Sequence, residues 1–226
     1  MTFEVITLFP EVLKPYLSES IMGRATRRKL FKVNFYDLRD FSSDRKYKRV
    51  DDRVYGGGPG MVIQAGPVVK AVEHIKNKSK KSKTKVVILS PAGIEFNDRL
   101  ASSWSKNYER LILICGRYEG IDERVKKVIG NWKLEIENLS IGPYVLSGGE
   151  LAALIIIDAV GRKVSGVLGK AESLEEKRLG TGVPVYTRPE VFLYRKRKYS
   201  VPKVLLSGDH KKISDWRLLH RKTGEK

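Results

Sequence analysis

A single cysteine, three histidines and no extended apolar run limit what this chain of 226 residues can be. Cys115 alone allows no internal disulfide and fits a reducing compartment, so a cytoplasmic location is expected. It closes an apolar stretch and reads as a core thiol rather than a nucleophile. His74, His210 and His220 are scattered and no Cys/His cluster exists, so no structural zinc site is expected. The longest apolar run, Leu151 to Val160, contains Asp158 and is too short to span a bilayer. The first residues, Met1-Thr2-Phe3-Glu4, have no basic n-region or cleavage pattern, so no secretory leader is expected. No GxGxxG follows the first strand and no GxxxxGK[ST] occurs, so dinucleotide-cofactor and nucleotide-hydrolysis chemistry lack support. There is no internal repeat. Acids are scarce as well: 26 Asp and Glu stand against 44 Lys and Arg, a formal charge of +18. That excess points to a polyanionic partner, nucleic acid before anionic membrane.

With 41% apolar residues the chain is globular rather than disordered. Buried strands are expected over 2–8, 31–38, 85–89, 110–115 and 132–138, with Ser90-Pro91 stopping the third. Helices are expected after Pro10, up to Leu30, and over 66–77, 97–106, 121–129 and 149–162. Strands alternating with helices predict an α/β protein with a parallel sheet. From Lys163 onward glycines and prolines break every periodicity, so 163–190 reads as an interdomain linker. A small C-terminal piece follows, with a helix from about Asp209 to Arg221.

Residues 161–226 hold 17 basic and 7 acidic side chains, a net of +10. The densest block, Arg195-Lys196-Arg197-Lys198, lies between Tyr194 and Tyr199 and suits phosphate contact. Just before it, Tyr186-Thr187-Arg188-Pro189 sets an aromatic and an Arg beside a fixed turn. This suits RNA, where bases stack and guanidinium meets phosphate, and suits simple capping of the linker equally. The lysines at 76, 78, 80, 81, 83 and 85 read as a solvated helix end and loop.

Two loops of small residues follow apolar strands. One is Cys115-Gly116-Arg117-Tyr118-Glu119-Gly120-Ile121-Asp122. The other is Ser140-Ile141-Gly142-Pro143-Tyr144-Val145-Leu146-Ser147-Gly148-Gly149-Glu150. Glycine lets backbone groups approach a ligand, and α/β proteins bind ligands beyond the C-terminal ends of their strands. Together the loops predict one pocket made largely of backbone. A third segment, Asp51 to Met61 with Gly56-Gly57-Gly58-Pro59-Gly60, is either a flexible connection or a wall of a site.

These segments, with Leu8-Phe9-Pro10, Leu89 to Gly93, Cys115 to Val125, Gly166 to Gly169, Tyr186 to Val191 and Leu205 to His210, resemble the bacterial tRNA (guanine-N(1))-methyltransferases of the SPOUT superfamily. The resemblance runs over nearly the whole chain. It implies a parallel-sheet α/β SPOUT domain with a deep trefoil knot over 1–162, a rare topology. The linker over 163–190 then leads to a small, basic, mainly helical tRNA-contacting domain over 191–226. It implies S-adenosyl-L-methionine as methyl donor, held by Leu89, Ser90, Pro91, Gly116, Tyr118, Glu119, Ile141, Gly142, Pro143, Tyr144, Val145, Leu146, Gly148 and Gly149. It implies a homodimer with the active site at the subunit interface, no membrane, and Mg2+ as an aid. The implied substrate is tRNA with guanosine at positions 36 and 37, methylated at N1 of the latter. Arg188 and Arg195 to Lys198 (Arg195, Lys196, Arg197, Lys198) are the expected RNA contacts.

Methylating that nitrogen requires a base for its proton and a cation for the charge that builds on the adjacent carbonyl oxygen. The resemblance gives the cation to Arg162, which also suits a plain helix C-terminal charge. Counted from Ser173, the family's aspartate falls on Lys177, a poor base when protonated. Glu176 is therefore the expected base, with Glu175 in reserve. Pro143 stands where an acid is common, and the C-terminal domain is shorter than in longer members. A non-catalytic RNA-binding homologue, or a SPOUT enzyme for another RNA guanosine, are the alternatives.

Overall fold

The computed structural model describes residues 1–78, 82–168 and 182–220. The chain divides into two compact units, Met1–Leu168 and Gly169–Lys226. In the first, five strands form a wholly parallel sheet: β1 (Thr2–Thr7), β2 (Lys32–Asp37), β5 (Thr84–Glu95), β6 (Arg110–Cys115) and β7 (Glu135–Ser140), in the order β2-β1-β6-β5-β7. A short antiparallel hairpin, β3 (Asp51–Arg53) and β4 (Met61–Ile63), stands apart. The helices are α1 (Lys14–Ser18), α2 (Ser20–Arg27), α3 (Ala65–Lys78), α4 (Asp98–Asn107), α5 (Arg124–Gly130) and α6 (Glu150–Gly161).

Strand side chains alternate between faces, so each central strand feeds two cores. Phe3, Val5, Val87, Leu89, Leu111, Leu113 and Leu139 pack with α2, α4 and α6. Ile6, Val86, Ile88, Ile112 and Ile114 pack with α3 and α5 on the other face. The predicted parallel α/β architecture is therefore present, buried on both sides.

Several boundaries differ from expectation, and α2 ends at Arg27 rather than near Leu30. Pro91 does not stop β5. The strand slips register, Leu89 and Ile94 both facing Leu139, and pairing resumes to Glu95. Proline lacks an N–H but is tolerated at such an irregularity. Gly93 makes the slip possible, since a Cβ there would lie 2.4 Å from Leu139 N. The last strand starts at Glu135 rather than Trp132, because Trp132 and Lys133 still close turns on Ile129 and Gly130. Helix α5 starts at Arg124 rather than Ile121. Ile121 is held in a bridge to Ile63, and the Asp122 side chain accepts from Arg124 N at 2.9 Å.

In the second unit the basic block forms a hairpin that sequence periodicity did not suggest. Strands Val191–Tyr194 and Arg197–Ser200 pair across a two-residue turn. Helices Lys203–Leu206 and His210–Leu219 follow, the latter capped by Asp209, which accepts from Lys211 N and Lys212 N at 3.1 Å. The expected end at Arg221, and Lys80 and Lys81 of the lysine run, lie outside the described residues.

Candidate active site

β5 lies between β6 and β7, so the three strands end side by side at one sheet edge. The loop after β7 crosses that edge and returns to the loop after β6. Gly149 N donates to Gly116 O at 2.9 Å, and Gly148 bridges Arg117. Glycine is required at 149: a Cβ would lie 2.7 Å from the Cys115 Cα. Between these loops lies a cleft of about 430 Å³.

Most residues expected to hold the cofactor converge here. Leu89, Ser90 and Pro91 line the cleft from the slip in β5, and Gly116, Tyr118 and Glu119 from the loop after β6. Ile141, Tyr144, Val145, Leu146, Gly148 and Gly149 line it from the crossing loop. Gly142 and Pro143 belong to that loop but not to the cleft wall. Gly142 shapes it instead: its carbonyl accepts from Tyr144 N and from the buried Ser140 hydroxyl, both at 2.9 Å. Arg117 and Asp122 of the predicted loop line it too, and sequence reasoning missed Glu123, Lys126 and Asn138, which also do. Glu123 and Lys126 follow that loop directly, whereas nothing local marked Asn138. Its Oδ1 is buried without a hydrogen-bond partner among the described residues.

The Gly-rich hairpin proves to be a buttress rather than a loose connection. Ile63 N donates to Gly120 O, Glu119 N to Met61 O and Asp122 N to Ile63 O, all at 3.0–3.1 Å. Gly60 has φ +107°, and a Cβ on it would meet the Glu119 carboxylate at 2.6 Å. Tyr118 has φ +58°, unusual for a bulky residue. Burial, then its hydrogen bond to Asp51, raises its phenol pKa above 10.0.

A buried carboxylate ties the site together. Glu150, in the first turn of α6, accepts the Thr7 hydroxyl at 2.7 Å and the Arg117 guanidinium at 3.1 Å. Cys115, beneath it, is a buried free thiol whose pKa burial pushes well above 9.0. This is the core role expected of it.

Arg162 caps the far end of α6. The helix has 12 residues, so Arg162 stands about 18 Å from the cleft along it. Its own chain does not bring it to the cleft along that helix. Ser173, Glu175, Glu176 and Lys177 lie outside the described residues. Arg188 is exposed in an irregular segment; Arg195 and Lys196 form the turn of the second unit's hairpin, and Arg197 and Lys198 open its second strand. Among the described residues no group of three acids, histidines or cysteines is placed to hold a metal ion. None of their helices is long and apolar enough to cross a membrane.

A parallel α/β unit with a backbone-lined cleft at its strand ends defines a small-ligand-binding class of protein. Comparison gives the family. The family model described as tRNA (Guanine-1)-methyltransferase TrmD matches residues 1–226. The chain is 47% identical over 220 residues to the tRNA (guanine-N(1)-)-methyltransferase of Caldanaerobacter subterraneus subsp. tengcongensis, covering 96% of this chain and 85% of that protein. It is 46% identical to the protein of that name from Carboxydothermus hydrogenoformans, at 96% and 81% coverage. It is 44% identical to the one from Clostridioides difficile, at 96% and 90%. The chain belongs to the TrmD family.

Proposed function

We propose that this protein is an enzyme that transfers the methyl group of S-adenosyl-L-methionine to N1 of guanosine 37 in tRNAs with guanosine at 36. The observation that carries the reading is the cleft. Twelve of the fourteen residues that the resemblance assigns to the methyl donor line it, and its volume falls within the usual range of about 300–1,000 Å³ for such ligands. The donor would supply an electrophilic methyl on sulfonium. The crossing of the β5 edge by the loop 141–149 supports the knotted SPOUT topology.

A homodimer completes the site in this reading. Leu151, Ile155, Asp158 and Arg162 follow one another along a single stripe of α6. Leu151 and Ile155 are exposed there at 55% and 44%. An apolar stripe in water fits a covered face. A second copy docked on it would carry Arg162 to its partner's cleft, which the 12-residue helix prevents within one chain. Arg162 then stabilises charge on the guanine oxygen, and Glu176 takes the N1 proton. The hairpin arginines and lysines grip the tRNA backbone. A Mg2+ requirement follows from the resemblance alone, with no residue assigned. A cytoplasmic location fits a tRNA substrate.

The test is methyl transfer from labelled S-adenosyl-L-methionine to unmodified tRNA transcripts. A transcript with guanosine at 36 and 37 should be labelled, and one with adenosine at 37 should not. Donor binding without label on either would sink the catalytic reading and favour a non-catalytic homologue. Full activity of Glu176→Gln would remove that residue as base.

A further inference from the structure

A second cavity, of about 320 Å³, lies at the other end of the sheet from the cleft. It sits where β5 and β7 begin, and Lys76, Lys83, Thr84, Trp132, Lys133 and Glu135 line it. The six residues of β7 set it about 17 Å from the cleft. Both walls are pinned through backbone. Lys83 O accepts from Glu109 N at 3.0 Å and from Arg110 N at 3.3 Å, and Trp132 N and Lys133 N donate to Ile129 O and Gly130 O at 3.0 and 3.1 Å. Aromatic faces rather than acids hold two of the ammonium groups. Lys76 Nζ lies 5.1 Å from the Trp132 ring centroid, and Lys83 Nζ 5.5 Å from that of Tyr108. Such contacts place a cation without cancelling its charge. Among the described residues no acid forms an ion pair with Lys76, Lys83 or Lys133. Glu135, the one acid in the described lining, accepts from the Tyr108 hydroxyl and lies 3.8 Å from the buried Lys85 ammonium. Lys133 holds φ +59°, where the backbone alone would favour glycine.

We propose that this cavity is a phosphate-binding site, separate from the methyl-donor cleft. Three ammonium groups around one committed carboxylate leave it positively charged, and lysine meets phosphate as a point charge without needing a fixed fork geometry. The phosphate belongs either to an RNA backbone or to a small phosphorylated solute. The formal charge of +18 over the chain favours the backbone. The site requires no methyl transfer, so it stands or falls apart from the proposed activity.

The test uses the whole chain and two probes: inorganic pyrophosphate by calorimetry, and the unmodified guanosine-37 transcript by filter binding across a salt series. Lys76→Gln with Lys83→Gln and Lys133→Gln empties the cavity of its charge. Lys29→Gln with Lys32→Gln and Lys70→Gln removes the same charge from exposed lysines outside it. Both triple variants should bind S-adenosyl-L-methionine like wild type, which verifies the fold around the cleft. A salt slope of log affinity that falls by about 1 in the cavity variant alone identifies an RNA backbone phosphate, whether or not pyrophosphate binds. Pyrophosphate affinity that drops at least about tenfold in the cavity variant alone, with its salt slope matching the control, identifies a small solute. Lys133→Gly should weaken whichever probe responds yet melt no lower than wild type, because glycine suits that φ. Weaker binding is then not the result of a damaged fold. If the two triple variants match each other with both probes, or Lys133→Gly binds like wild type, the proposal is overturned. The lysines would then only complement the carbonyl ends of α3 and α5.

Discussion

Glu150 sets one carboxylate oxygen 2.7 Å from the Thr7 hydroxyl and the other 3.1 Å from the Arg117 guanidinium, while itself only 3% exposed. Three elements thus meet at one buried charge: the end of β1, the loop after β6 and the start of α6. The helix N-terminus adds to the stabilisation of the carboxylate. Arg117 in turn lies 4.2 Å above the Phe9 ring.

Removing that carboxylate leaves a partly buried guanidinium without its counter-charge and a buried hydroxyl without its acceptor. Glu150→Ala should therefore cost about 3 kcal/mol of stability. Glu150→Gln should cost less, because the amide oxygen still accepts from Thr7. Urea denaturation of both variants checks the order, and equal midpoints for Glu150→Ala and wild type would show the network to be idle.

Stability should fall at alkaline pH. Burial, then Glu4, pushes the Tyr36 phenol up to about 12. Burial, then the hydrogen bond to Glu135, does the same to Tyr108, also to about 12. The unfolded chain loses these protons first, near pH 10. The contribution is thus fully present below about pH 10 and is lost as pH rises towards about 12. The Cys115 thiol, raised by burial, adds to the decline above pH 9. Denaturation midpoints between pH 8 and 12 should decline in wild type and decline less in Tyr36→Phe. Tyrosinate absorbance should rise later in the native than in the urea-unfolded protein.

The parallel sheet was legible because strands such as Arg110 to Cys115 are short, continuous apolar runs, and burial on both faces demands that composition. The cleft was legible through its glycines, since close approach of Gly149 to Cys115 leaves no room for a side chain. What stayed hidden depends on distant partners. Pro91 looks like a stop until β7 supplies a neighbour for a slipped register. Asn138 looks like any strand residue until β5 and α5 close around it. The hairpin at 191–200 was masked by its own charge, because no apolar alternation survives Arg195 to Lys198.

Gly149→Ala should open the cleft. The added Cβ would lie 2.7 Å from the Cys115 Cα and 3.1 Å from Gly116 N, and neither backbone atom can yield cheaply. Affinity for S-adenosyl-L-methionine, measured by calorimetry, should drop at least about tenfold, the scale of a misplaced binding loop. Gly130→Ala is the control. At the end of α5 its Cβ would meet nothing within 4 Å. It should leave affinity intact and add up to about 0.5 kcal/mol of stability. Equal affinity in both variants would mean that the crossing loop does not shape the binding site.

The turn between the C-terminal strands pits conformation against charge. Arg195 and Lys196 hold φ +47° and +66°, values that two-residue hairpin turns require and that Asn-Gly satisfies with less strain. Changing Arg195→Asn together with Lys196→Gly should therefore tighten the hairpin while deleting two positive charges. If the turn is there for the backbone of tRNA, affinity should fall despite the better turn. The slope of log affinity against log salt should then shrink by about 1.5, the loss of two phosphate contacts. Filter binding from 50 to 200 mM salt, a range set by about that dependence, gives both quantities. An unchanged slope would show that these two side chains hold no phosphate. The strained φ values would then have no function to explain them.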